Sequence, residues 1–285
     1  MMPNVLTAEE LALLPTDEEV QCYQTHGYYQ SKKIFTDREI DAAIAGSERY
    51  YRGERDHSLP TFVPGWQPEH GNVLRKNDYA SLQIRELAAL VRKPLLGAIA
   101  ARLCGAPVRL WHDQLLYKPP SDRSLPANVG WHTDRGYWKT CTSERMLTAW
   151  IPFHDCDEYM GTITMIDQSH HWPDHTDALD FFNHDLAALE KTFHTDGRPV
   201  FKVPMTLRKG EVSFHHCLTI HGSGPNLTNQ PRRSLAVHMQ DESNRYQEFR
   251  SPDGMLARHG NDSLVRQAHG HPDYTDPDIC PHLWL

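Results

Sequence analysis

The chain has 285 residues, 39% hydrophobic and 23% charged, which is enough for one large domain with a buried core or two small ones. A net charge of −8 and a pI near 6.1 argue against nucleic acid or an anionic membrane as partner. No apolar run approaches a membrane span, Met1 to Glu10 lack a signal core, and the six cysteines are scattered without a CxxC, so the expectation is a cytoplasmic protein with reduced thiols.

No repeat or low-complexity linker divides the chain, so residues 1–285 are expected to form one unit. Residues 1–106 read as a helical support. Thr16-Asp17-Glu18-Glu19 and Thr36-Asp37-Arg38-Glu39 fit the capping box, and Gly27 and Gly53 sit where those helices could end. Residues 52–72, rich in Gly, Pro and charge, read as a loop. Residues 80–103 space Leu82, Ile84, Leu87, Leu90, Val91, Leu95, Ile99 and Leu103 with a helical rhythm that Pro94 breaks or restarts. From about residue 107 the texture changes. Short strands are predicted at 108–117, 130–137, 146–153, 161–167, 199–205, 210–216 and 232–240, separated by turn residues such as Pro119-Pro120, Gly161 and Lys209-Gly210. Many short strands after a helical prelude predict a mainly β fold, a jelly-roll barrel over 107–240 with helices packed outside. An insert at 171–198 carries a weak helical pattern (Leu179, Phe182, Leu186, Leu189) and is expected to cross the barrel mouth as a lid would. Residues 241–285 read as a C-terminal tail.

With His at 19 of 285 positions, His-x-Asp is a cheap motif. It occurs at His132/Asp134, His175/Asp177, His194/Asp196 and His271/Asp273. Only the first lies in a predicted strand, where a spacing of two puts both side chains on one face. The next two fall in the polar insert and the last in a Gly/Pro-rich tail, where solvated loop residues are the simpler reading. A His-x-Asp pair with a distant His gives two imidazoles and a carboxylate to one face of a non-haem iron(II), leaving the opposite positions open. His221 opens a Gly-Ser-Gly turn that lets the backbone approach a ligand. Its neighbours His215 and His216 end a strand and are expected to serve packing or hydrogen bonding. Eleven positions after His221, Arg232 begins an alternating strand. Arg232, Ser234, Ala236 and His238 share one face, and Arg233, Leu235, Val237 and Met239 the other. Alternation alone does not say which Arg points inward. Arg135, Tyr137 and Trp138 either line the pocket mouth or pack as a strand. Trp172 and Phe181-Phe182 either close over an apolar substrate or anchor the insert.

In chain order, the segments Lys118-Pro119-Pro120, His132-x-Asp134, Thr148-Ala149-Trp150-Ile151-Pro152, Gly161-Thr162-Ile163, Ser169-His170, His221-Gly222-Ser223-Gly224-x-Asn226 and Arg232 resemble the phytanoyl-CoA dioxygenase family. His26-Gly27-Tyr28 is similar to the family's start, and Asp276 to Trp284 looks like the tail of many bacterial members. The resemblance covers most of the chain, and the ordered set is far more specific than any one motif. It implies a double-stranded β-helix with Fe(II), 2-oxoglutarate and O₂. It also implies an oxygenase that oxidises, most often hydroxylates, an unactivated C–H of a small molecule and releases succinate and CO₂. By position, His132, Asp134 and His221 match the iron ligands. Arg232, rather than Arg233, matches the Arg that pairs with the C5 carboxylate of 2-oxoglutarate. Ser223 matches a hydroxyl near that carboxylate, Trp150 a Trp lining the cosubstrate pocket, and Gln114 a further residue against the cosubstrate. Asp134 favours oxygenation over halogenation. Asp167-Gln168-Ser169-His170 departs from the usual Pro-Gly-Ser-His, and Arg75-Lys76 does not align well enough to name a contact.

Two other readings compete. One is a jelly-roll metalloenzyme in which Zn or Mn activates water; it has no use for a buried Arg facing a dicarboxylate. The other is a non-catalytic binding or sensing member, against which an intact triad plus Arg argues. The family oxidises acyl-CoA chains, amino-acid-like solutes and natural products, so the resemblance fixes the cofactor better than the substrate.

Overall fold

The computed structural model describes residues 5–121, 127–173 and 179–285. The two predicted capping boxes form as drawn. Thr16 and Thr36 accept from the N–H of Glu19 and Glu39, whose carboxylates reach back to the cap N–H, and helices run Asp17–His26 and Asp37–Tyr51. Gly27 ends the first with φ 84°, where a Cβ would be strained. Pro94 restarts rather than breaks the third predicted helix, which is two helices, Arg85–Val91 and Pro94–Cys104.

The strands are β1 (Tyr28–Gln30), β2 (Arg75–Asp78), β3 (Val108–Lys118), β4 (Val129–His132), β5 (Leu147–Pro152), β6 (Thr164–Ile166) and β7 (Lys202–Pro204), then β8 (Ser213–His216), β9 (His221–Ser223) and β10 (Arg232–Asp241). β11 (Gln267–Ala268) and β12 (His271–Pro272) form a small hairpin, and β13 (His282–Trp284) follows. A seven-stranded sheet runs β1-β8-β5-β10-β3-β13, with β2 also paired to β3, and a four-stranded sheet runs β4-β9-β6-β7. This is a mainly β fold, a double-stranded β-helix with the N-terminal helices packed on the larger sheet.

Some expectations need correction. Residues 1–106 are not purely helical, since β1 and β2 join the large sheet. Both are short and polar and lack an alternating apolar signature; pairing with a neighbour makes them strands. The predicted strand 130–137 stops at His132. Thr133 then caps a helical turn, Asp134–Tyr137, by accepting from the Gly136 N–H. His221 to Ser223 is a strand, not a turn, and the missing Cβ of Gly222 faces the Val129 carbonyl and the Trp131 ring rather than a ligand. The C-terminal segment is no loose tail: β13 pairs with β3, and Tyr274 and Cys280 are buried.

Alternation sorts the large sheet into two faces. Leu235, Val237 and Met239 of β10 join Leu147, Ala149 and Ile151 of β5 in the core beneath the helices, together with Ile40, Leu87 and Leu96. Each such Leu, Ile, Val or Met side chain contributes roughly 1.5–3 kcal/mol by leaving water. The opposite face looks into the barrel. There, register places His112, His238, Thr148 and His215 in one row across β3, β10, β5 and β8, and Gln114, Ala236, Trp150 and Ser213 in the next. Keeping that row inward requires a bulge. His238 pairs with His112 but Met239 pairs with Leu110, leaving Trp111 over. Before it, Val108 and Leu110 face the helix-side core; after it, Leu115 does. The Trp111 carbonyl accepts from Asn261 Nδ2 at 2.7 Å. Among the described residues no helix is long and apolar enough to cross a membrane.

Candidate active site

β4 and β9 are hydrogen-bonded neighbours that put His132 directly opposite His221, with ring centroids 4.1 Å apart. Each Nδ1 is tied to a backbone carbonyl, His132 to Gly130 at 2.8 Å and His221 to Thr219 at 2.9 Å. That fixes the Nε2 atoms as the free lone pairs. Asp134 reaches them from the following helical turn, its Oδ1 lying 4.0 Å from His132 Nε2 and 3.7 Å from His221 Nε2. Among the described residues these three are the group whose ligand atoms all lie within 4.8 Å of one another. Burial, reinforced by the neighbouring His221, pushes His132 down to about 3; burial and His215 push His221 down to about 4. Both imidazoles are therefore neutral near pH 7, the form that binds metal.

The other carboxylate oxygen of Asp134 is already taken. Oδ2 accepts from Thr148 Oγ1 at 2.5 Å and from His215 Nε2 at 3.2 Å, and Thr148 Oγ1 is 2.7 Å from His238 Nδ1. Burial opposes ionisation of Asp134, but the His238 and His221 imidazoles and the His215 hydrogen bond outweigh it and hold the carboxyl well below the usual range. One oxygen thus faces the imidazoles while the other is anchored to the sheet, which suits a one-oxygen ligand. The sequence left His215 to packing or hydrogen bonding; the fold gives it Asp134 as a hydrogen-bond partner.

The pocket that holds the triad is also lined by Gln114, Trp150, Ser223 and Arg232. Arg232 is 2% exposed. Its Nη1 donates to the Gly161 carbonyl and to Ser223 Oγ, its guanidinium lies 5.3 Å from the Trp150 ring centroid, and Nε has no partner. Burial lowers its pKa to about 10, so it stays charged at neutral pH without a carboxylate partner among the described residues. Its register partner Lys118 is also fully buried and donates to Ser223 Oγ at 2.6 Å and to the Gly224 carbonyl at 2.5 Å; burial first, and Arg232 second, push it well below the usual lysine range. Two buried basic side chains converge on Ser223. A carboxylate held here would satisfy both, and the neutral imidazoles with an anchored carboxylate suit a divalent metal, so these residues fit both groups. Lys118 was quoted in the sequence motif without a role; its place two residues along from Leu116 on the inward face of β3 was the available clue. Arg233 points the other way, 3.7 Å from Glu48.

The remaining candidates sort clearly. His194 and Asp196 are exposed, His271 is exposed, and Asp273 pairs with Arg266 at 2.9 Å. His175 and Asp177 lie outside the described residues. Arg135 donates to the Trp138 and Cys141 carbonyls and packs locally, whereas Tyr137 and Trp138 line an outer cavity. Trp172 packs with Trp131, Leu179, Leu189 and Ile220 and so anchors the insert. Phe181 is buried 5.0 Å from the His132 ring, while Phe182 is 62% exposed. The insert seats on β4 and its two flanks through Gly130 N to Phe181 O (3.0 Å), Phe181 N to Tyr137 Oη (2.8 Å) and Asn128 Nδ2 to His184 O (3.0 Å).

The model of the phytanoyl-CoA dioxygenase family matches residues 23–234. The peroxisomal phytanoyl-CoA dioxygenase of Bos taurus is 21% identical over 278 residues, covering 92% of this chain and 79% of its own length. The ectoine dioxygenase of Bordetella parapertussis is 24% identical over 76% of this chain and 73% of its own. Among solved structures, the epimerase SnoN from nogalamycin biosynthesis, in complex with Fe³⁺, alpha-ketoglutarate and nogalamycin RO, has a TM-score of 0.63 at 23% identity and covers 81% of this chain and 85% of that one.

Proposed function

The chain belongs to the phytanoyl-CoA dioxygenase family, iron- and 2-oxoglutarate-dependent dioxygenases that also use O₂, and from that premise we propose that it hydroxylates an unactivated C–H of a small organic molecule. In this reading His132, Asp134 and His221 hold Fe(II), and Arg232, Ser223, Trp150 and Gln114 hold 2-oxoglutarate. The observation that carries it is Arg232: a charged, buried guanidinium with a free Nε, lining the same pocket as the triad. A water-activating hydrolase gives no reason to bury that charge.

Bound iron and 2-oxoglutarate supply an oxidative decarboxylation in which O₂, substrate and cosubstrate become hydroxylated product, succinate and CO₂. The residues do the positioning. His132 and His221 present fixed Nε2 lone pairs, and Thr148 and His215 hold Asp134 so that Oδ1 alone faces them. Arg232 would pair with the distal carboxylate of 2-oxoglutarate, with Lys118 supporting Ser223. Phe181 and Trp150 give the reacting volume buried apolar walls.

We take the whole chain as one oxygenase unit, with residues 1–106 bracing the barrel and 241–285 walling the outer cavity. A cytosolic setting is supported by the six free cysteines, and an acidic surface supports a small molecule over nucleic acid as partner. The test is anaerobic addition of Fe(II) and 2-oxoglutarate, which should produce a visible metal-to-ligand charge-transfer band, followed by O₂-dependent succinate release. A protein that gives neither is not this enzyme.

A further inference from the structure

Gln114, His132, Asp134 and Phe181 border both the triad pocket and a second, outer cavity of about 390 Å³. The inner end of that cavity is buried and carries no charged side chain besides Asp134; Tyr79, His112, Trp138 and Phe181 form it. His112 is only 3% exposed, yet neither ring nitrogen has a hydrogen-bond partner. Burial, with His238 and His259 nearby, holds it neutral, so it offers one N–H and one lone pair. The rim is different. Lys76 Nζ lies 3.2 Å from both carboxylate oxygens of Asp78, so those charges cancel. Arg258, exposed at the same rim, has no hydrogen-bond or ion-pair partner among the described residues.

Resting on the oxygenase reading, we propose that the outer cavity is the substrate site and takes an amphipathic oxyanion. Its apolar body packs on Tyr79, Trp138 and Phe181. Its carboxylate or phosphate meets Arg258, and an uncharged polar group reaches His112. A cationic substrate would find Asp78, already engaged by Lys76, and Asp134, already anchored by Thr148 and His215. An anionic group pushed inward would lose its hydration where no Lys or Arg side chain lines the inner end and the Asp134 carboxylate repels it. The charged end therefore stays at the rim, and the carbons presented to the triad are those distal to the anion.

The probes are 4-phenylbutyrate, 4-phenylbutyl phosphate and 4-phenylbutyramide. Binding is read by quenching of tryptophan fluorescence, since Trp138 lines the cavity, in the anaerobic protein with Fe(II) and saturating 2-oxoglutarate. The expected result is an anion bound about tenfold more tightly than the amide, a preference lost in Arg258→Ala and partly kept in Arg258→Lys. Whichever anion binds tighter identifies the oxyanion. A 4-hydroxyphenyl version should bind tighter than its parent in the native protein and not in His112→Phe. Equal binding of amide and anions, a preference that survives Arg258→Ala, or no binding of any probe overturns the proposal. The charge-transfer band separates the failures: a band without anion preference sinks this inference alone, whereas no band sinks the oxygenase reading.

Discussion

Gly130→Ala tests whether the insert is seated by backbone contact. A Cβ at this position would lie 2.0 Å from the Asp180 carbonyl oxygen and 2.4 Å from that of Asn183. Ordinary carbon–oxygen contact needs roughly 3.5 Å, so the 180–183 backbone must retreat by more than about 1 Å. The retreat breaks the Gly130–Phe181 and Phe181–Tyr137 hydrogen bonds and loosens the two between Asn128 and His184. At about 0.5–1.5 kcal/mol net each, the insert loses on the order of 2–4 kcal/mol of docking free energy. Its undocked population should rise about 30-fold to 1,000-fold. Hydrogen exchange read by mass spectrometry should show residues 179–190 exchanging faster by that factor, while β3, β5 and β10 keep their protection. Unchanged exchange in the insert would refute the argument, as would a crystal structure of the variant with Asp180 and Asn183 in place.

Arg232→Ala should weaken 2-oxoglutarate binding roughly 30-fold to several thousand-fold, with Arg232→Lys recovering part and Arg233→Ala changing little. Titration of the charge-transfer band decides, and the reverse order would mean the register of β10 is wrong. Thr148→Val removes the 2.5 Å donor to Asp134 at nearly constant volume and should cost about 10–100-fold in Fe(II) affinity by equilibrium dialysis, with no change in affinity counting against an anchored carboxylate. Acid should destabilise the metal-free protein. Burial pushes His216 and His259 down to about 3 and His170 to about 4, while unfolded histidine titrates near 6.5. Between pH 6.5 and 4 the unfolded chain binds more protons, so stability falls as pH falls, by at most about 1.4 kcal/mol per group per unit. A Tm that stays flat from pH 6.5 to 4.5 would contradict the assignment of neutral, buried imidazoles.

Local chemistry was legible in the sequence, and long-range geometry was not. The Thr16 and Thr36 caps, the restart at Pro94 and the two faces of β10 each depend on residues within four positions of one another. The ordered motifs located the triad, although the reasoning from strand geometry was wrong: Asp134 sits on a helical turn, not on the face of a strand with His132. Thr148 and His215 touch Asp134 because β5 and β8 lie side by side in the sheet, a pairing between residues 67 apart in the chain. Gly130 looked like an ordinary strand residue until the insert was seen to press on it. β1 and β2 carry no pattern of their own.

The bulge at Trp111 has a consequence for how such a barrel changes over time. Its carbonyl holds Asn261, and Gln247 Nε2 is held at 3.0 and 2.8 Å by the Lys139 and Cys141 carbonyls. Between those two pegs the chain bonds largely to itself, Arg250 bridging Leu256 and Ala257 donating to Phe249. This hanging loop carries Arg258, His259 and Gly260 to the outer cavity. It is an exchangeable jaw, able to vary in length and charge while the metal-bearing strands keep their places. A chimera that replaces 248–257 and retains Gln247 and Asn261 should bind iron and 2-oxoglutarate as before and admit different molecules.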